Sequence, residues 1–181
     1  IIIAGFFVIA AGMMQQFSSY ASTGALGAAV GAMGVTVCMI GQLFGKFGLG
    51  WLCDHTGARV SGVVASIFGA AGIAIVLFSV DNAMMFYVGV FLFGIGFAAL
   101  NIVPPMACRQ AFGQKDYANI FSMVATGLNV FSGFSALIYA QIFDITGSFA
   151  GCFYLIIGFY VVTLICSLVI VPMGRRSWAK K

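Results

Sequence analysis

The sequence predicts an all-α polytopic membrane protein built from six transmembrane helices. Three observations predict it. Of 181 residues, 62% are hydrophobic and 7% are charged, with a mean hydropathy of +1.13, whereas soluble domains carry about 25% charged residues. A domain of ~150 residues still exposes about 30% of the surface of its unfolded chain, so this much apolar surface needs lipid as its solvent. Windows of roughly 20 apolar residues, the length that crosses a hydrocarbon core of about 30 Å, recur between sparse charges and turn signals. A membrane β-barrel would instead alternate polar and apolar residues over strands of about 10 residues, and no such alternation is present.

The expected helices follow in order. The first covers about residues 1–20, the second 26–52 and the third 60–80. The fourth covers about 84–109, the fifth 117–143 and the sixth 149–171. Together they make a bundle over residues 1–173, followed by a basic tail at 174–181. The chain opens inside apolar sequence at Ile1 with no basic stretch before it, so a fragment of a longer chain is expected rather than a signal peptide.

Orientation follows from the basic residues, because short loops rich in Lys and Arg stay cytoplasmic. Arg59, then Arg109 and Lys115, then Arg175, Arg176, Lys180 and Lys181 fall on one side. The opposite connections, Ser22 to Gly24, Asp81-Asn82 and Asp144 to Ser148, carry no Lys or Arg. A cytoplasmic C-terminus is therefore expected. The five cysteines are scattered singly without metal or redox spacing, and we read them as small apolar fillers.

The stretch from Gly50 to Arg59 reads as the connection between the second and third helices. It resembles the signature loop of the major facilitator superfamily, G-x-x-x-D-[RK]-x-G-[RK]-[RK], with Gly50, Asp54, Gly57 and Arg59 in matching positions. His55 and Ala58 depart from the usual basic residues. In physical terms Gly50 is expected to admit a neighbouring helix, Gly57 to allow a tight turn, and Asp54 to pair with Arg59 across the helix end. The resemblance implies a conformational-switch loop in an alternating-access cycle. It also implies that six helices with a basic tail form the C-terminal half of a twelve-helix carrier, whose N-terminal six-helix half is a partner within the same chain. A plain turn with an orienting arginine is the alternative.

Lys46 lies eight residues before Asp54, about 12 Å along a helix. An ionisable residue at that depth costs at least about 2.5 to 3.5 kcal/mol and marks a bundle interior or wet cavity, unless its stem snorkels to the headgroups. Gln42 shares its face, and Gly41 with Gly45 forms a small-residue packing edge. The resemblance is strongest to the oxalate/formate antiporter and monocarboxylate transporter group, in which a cation eight residues before the loop acid binds substrate carboxylate. Relatives of that group usually have Arg there, and a lysine lacks the bidentate fork. The fifth helix, which supplies a second cation in the oxalate/formate type, has no Lys or Arg between residues 117 and 143 and offers Thr126, Asn129, Ser132 and Gln141 instead. A monocarboxylate or mixed organic acid is therefore favoured over oxalate.

Asn101 and Asn129 are further candidates for substrate hydrogen bonds or for helix–helix adhesion, as are Gln15 and Gln16. Pro104-Pro105 interrupts the bonding of the fourth helix and serves as a gating bend or a static kink. Neither a catalytic constellation nor a metal or cofactor motif is present, and the tail is too short for nucleic acid while suited to anionic lipid. The expected function is secondary transport of a small organic anion. A stand-alone six-helix homodimeric channel or carrier, or a non-transporting membrane scaffold, are the rivals.

Overall fold

The structure is a computed structural model that describes residues 8, 12–23, 27–79, 82–112, 117–147 and 150–178, with side chains in the last segment described to residue 165. Among these residues there are six helices: α1 (Met13–Thr23), α2 (Ala28–Thr56), α3 (Ala58–Phe78), α4 (Ala83–Phe112), α5 (Tyr117–Thr146) and α6 (Ala150–Trp178). Four stretches, in α2, α3, α4 and α5, are long and apolar enough to cross a membrane, and α6 holds a shorter apolar stretch, Gly151–Ile165. Of the first expected helix, residues 1–7 and 9–11 lie outside the described residues.

Each helix end has a local cause. Gly57 alone separates α2 from α3; its φ of 91° is a left-handed value that favours glycine, and its N–H donates to the Cys53 carbonyl at 2.9 Å. Asn82 starts α4 by accepting from the Met84 N–H at 3.0 Å through its side-chain oxygen. Gly147, at φ 62°, closes α5 with its N–H on the Phe143 carbonyl at 2.8 Å.

The centre is a block of α2, α3 and α4 drawn together by small residues. The buried face of α2 is Gly31, Gly34, Cys38, Gly41, Gly45, Leu49 and Cys53, spaced at three and four residues. A Cβ on Gly41 would collide with the Phe91 carbonyl of α4, and one on Gly94 of α4 with the Cys38 carbonyl of α2. Gly96 of α4 lies equally close to α3, where an added Cβ would stand 2.6 Å from Gly69 Cα. With no hydrophobic drive between helices in lipid, this close backbone approach supplies the van der Waals contact that holds them. Ser61 Oγ adds a bond from α3 to the Leu49 carbonyl of α2 at 3.1 Å.

Aromatic rings tie the outer helices on. Phe93 of α4 meets Phe17 of α1 edge-on at 5.2 Å and Tyr160 of α6 edge-on at 6.3 Å, the geometry aromatic quadrupoles prefer. Tyr20 and Phe153 join α1 to α6 in the same way at 4.9 Å. Helix α5 stands apart, with only 12% of its apolar window buried.

Candidate functional site

On α2 the residues Gln42, Lys46, Gly50 and Asp54 recur every four positions and form one shallow stripe beside the buried glycine face. Lys46 and Asp54 are exposed, while Gln42 and Gly50 are half-buried. The stripe descends into a cavity of about 490 Å³ between α2, α4 and α5. Its walls include Gly50, Cys53 and Asp54 from α2, Pro105, Met106 and Arg109 from α4, and Tyr117 from α5. A carboxylate and a guanidinium thus face one space from helices 55 residues apart in sequence.

Two expectations change here, and a third lies outside the described side chains. The Gly50-to-Arg59 stretch is helical except at Gly57, so Gly50 and Asp54 ride on α2 and Arg59 on α3. Polar side chains at this end bond to backbone carbonyls one turn back, Thr56 Oγ1 donating to Leu52 at 2.6 Å and the His55 Nδ1–H to Trp51 at 2.9 Å, and the helix runs past the point where hydropathy falls. No helix among the described residues closes on Gly50, since an added Cβ would meet nothing there within 4 Å; Gly50 lines the cavity instead. The Arg59 side chain, expected to pair with Asp54, lies outside the described side chains, and Arg109 is the described cation that shares Asp54's cavity. Arg109 was legible only as a basic residue at a helix end.

A second cavity, about 280 Å³, lies between α4 and α5. It brings Asn101 and Asn129 together with Ser132, and its α4 wall includes Leu100, Pro104 and Pro105. Both prolines sit inside a helix that continues to Phe112, so they interrupt hydrogen bonding without ending the element. Pro105 is common to the two cavities. Neither Lys46 nor Gln42 lines either cavity; Lys46 stands one turn above Gly50 on the stripe.

A further polar line runs along α5. Asn119, Ser122, Thr126 and Asn129 lie three and four residues apart on α5 and are all exposed. Ser122 Oγ donates to the Asn119 carbonyl at 2.7 Å and Thr126 Oγ1 to the Ser122 carbonyl at 2.9 Å. These hydroxyl protons are engaged on the helix itself, so the line presents oxygen lone pairs outward. A helical period applied to polar residues finds it.

Among solved structures, the crystal structure of an auto-inhibited peptide transporter of the POT family has a similar fold. The TM-score is 0.70 at 21% sequence identity, and the match covers 97% of this chain and 36% of that one. The likeness is one of fold: the helical arrangement of this chain is shared with part of that transporter. This chain spans 36% of the length of that neighbour. No protein-family model matches the chain, and no curated protein does.

Proposed function

We propose that the chain is one six-helix half of a secondary transporter that carries a small organic anion, such as a monocarboxylate, by alternating access. Lys46 carries the reading: it is the one charged residue between Ala28 and Leu52, it is exposed on α2, and it lies on the stripe that leads to Asp54. A cation held at membrane depth is expensive and is retained where it meets an anion or water. Gln42, on the same stripe, with Asn101 and Asn129 across on α4 and α5, completes the substrate-binding set. The fold likeness to a peptide transporter supports transport as the class of activity, and a second six-helix half of the same chain supplies the other wall of the pathway. The α2–α3 junction, with Asp54, Gly57, Arg59 and the Arg109 side of the lower cavity, latches one side during rocking.

The test is counterflow of a panel of small carboxylates by the full-length protein in liposomes. Lys46→Gln is expected to reduce exchange by roughly 10- to 100-fold, the value of one charge-assisted hydrogen bond, with monodispersity and thermal stability retained. Exchange undiminished by the substitution refutes the role of Lys46. Saturable uptake of dipeptides without carboxylate exchange would move the substrate to the class carried by the structural neighbour.

A further inference from the structure

The cleft between α4 and α5 has an unusual wall. In an α-helix each N–H donates to the carbonyl four residues earlier, and proline has no N–H. Pro104 therefore leaves the Leu100 carbonyl without its helical partner, and Pro105 does the same to Asn101. All four residues of these two missing bonds line one cavity of about 280 Å³. Facing them from α5 are Asn129 and Ser132, and no charged residue is part of the described wall. Bare carbonyls at membrane depth are costly until a donor reaches them.

We infer that this cleft is a subsite for an uncharged hydrogen-bond donor of the substrate, a hydroxyl or carboxamide, held by the proline-freed carbonyls of Leu100 and Asn101 and by the Asn129 side chain. The inference rests on the reading of Lys46 as the carboxylate partner, and makes the substrate a bifunctional acid. Register supports it. Gly45 of α2 lies against Ile95 and Ala98 of α4, so Lys46 is level with a point about one turn, roughly 5 Å, from Asn101. A free cation fits less well, because the wall offers no carboxylate to offset its desolvation and a lysine stands at the same level. The volume suits a substituent of several atoms.

The experiment compares two isosteric acids, one bearing a hydroxyl and one a methyl in its place, in counterflow by the full-length protein. The wild type is expected to favour the hydroxylated acid by about tenfold, the worth of one buried hydrogen bond. Pro105→Ala returns an N–H to the Asn101 carbonyl in a residue that favours helix, and Asn129→Leu removes the opposing acceptor; each is expected to bring the ratio toward parity. The ratio is the readout, so a general loss of turnover cancels, and where a variant ceases to turn over, heat stabilisation by the two acids yields the same ratio. A preference that survives both substitutions, or parity in the wild type, overturns the subsite while leaving the carboxylate reading intact. Failure of the wild type to exchange either acid overturns both.

Discussion

Helices α4 and α5 have the same length, 30 residues each, and both are apolar enough to span a bilayer, yet 44% of the α4 window is buried against 12% for α5. Apolarity does not explain the difference. α4 presents Gly94 to α2 and Gly96 to α3, so two neighbours reach its backbone. Of the two glycines of α5, Gly127 and Gly133, Gly133 faces open space, and the exposed face of the helix is lined with Asn119, Ser122, Thr126 and Asn129. Where apolar side chains are as comfortable in lipid as in protein, the placement of small residues decides which helices become core. The polar remainder defines the helix that faces water or a partner.

The strongest way to break this contrast is Gly94→Val. The added carbons have only backbone in front of them, and overpacking of this kind costs about 1–3 kcal/mol even where neighbours are able to shift. Loss of a monodisperse peak in detergent, or a steep fall in thermal midpoint, is expected, and an unchanged midpoint would show that the seam is not what holds the block together. Large side chains sharpen the same comparison. Phe93→Ala, at a fully buried position, should cost about 3–5 kcal/mol, whereas Phe134→Ala on α5, 57% exposed, should change stability by less than about 0.5 kcal/mol. Equal effects in thermal unfolding would dissolve the distinction between core and periphery. Ser61→Ala, which deletes the bond to the Leu49 carbonyl, is the smallest change, about 0.6 to 1 kcal/mol. A loss of several kcal/mol there would mean that one hydroxyl governs the α2–α3 junction.

Much of this was readable before any coordinates. Hydropathy and sparse charges located the helices, and the spacing of Gly41 and Gly45 identified a packing edge that the structure places on α4. Gly50 was misread because composition does not say which way a glycine faces: it lies off the seam that Gly41 and Gly45 share, and its missing Cβ leaves a gap instead of a contact. The stretch between Gly50 and Arg59 looked like a loop because it is polar. Polarity measures the cost of lipid and not the conformation of the backbone: α2 runs on to Thr56, with the Thr56 and His55 side chains bonded to carbonyls one turn back. Arg109 opposite Asp54 is a tertiary meeting that no local pattern encodes. The proline pair was visible at once, but that Leu100, Asn101 and both prolines line one cavity with Asn129 depended on where α5 lies.

The single-residue break at Gly57 has a bearing on how the protein enters its bilayer. α2 is the less favourable of the pair for insertion: its mean hydropathy is 1.6 against 2.3 for Val60–Phe78, and it carries a lysine that costs about 2.5 to 3.5 kcal/mol at helix centre. With one residue between them, α2 and α3 cannot partition independently and must cross as a hairpin. The ten Val, Ile, Leu and Phe residues of Val60–Phe78, each contributing about 0.3 to 0.6 kcal/mol toward the membrane, are enough to carry the lysine in with them. The most apolar helix thus acts as the insertion partner of the helix that bears the charge.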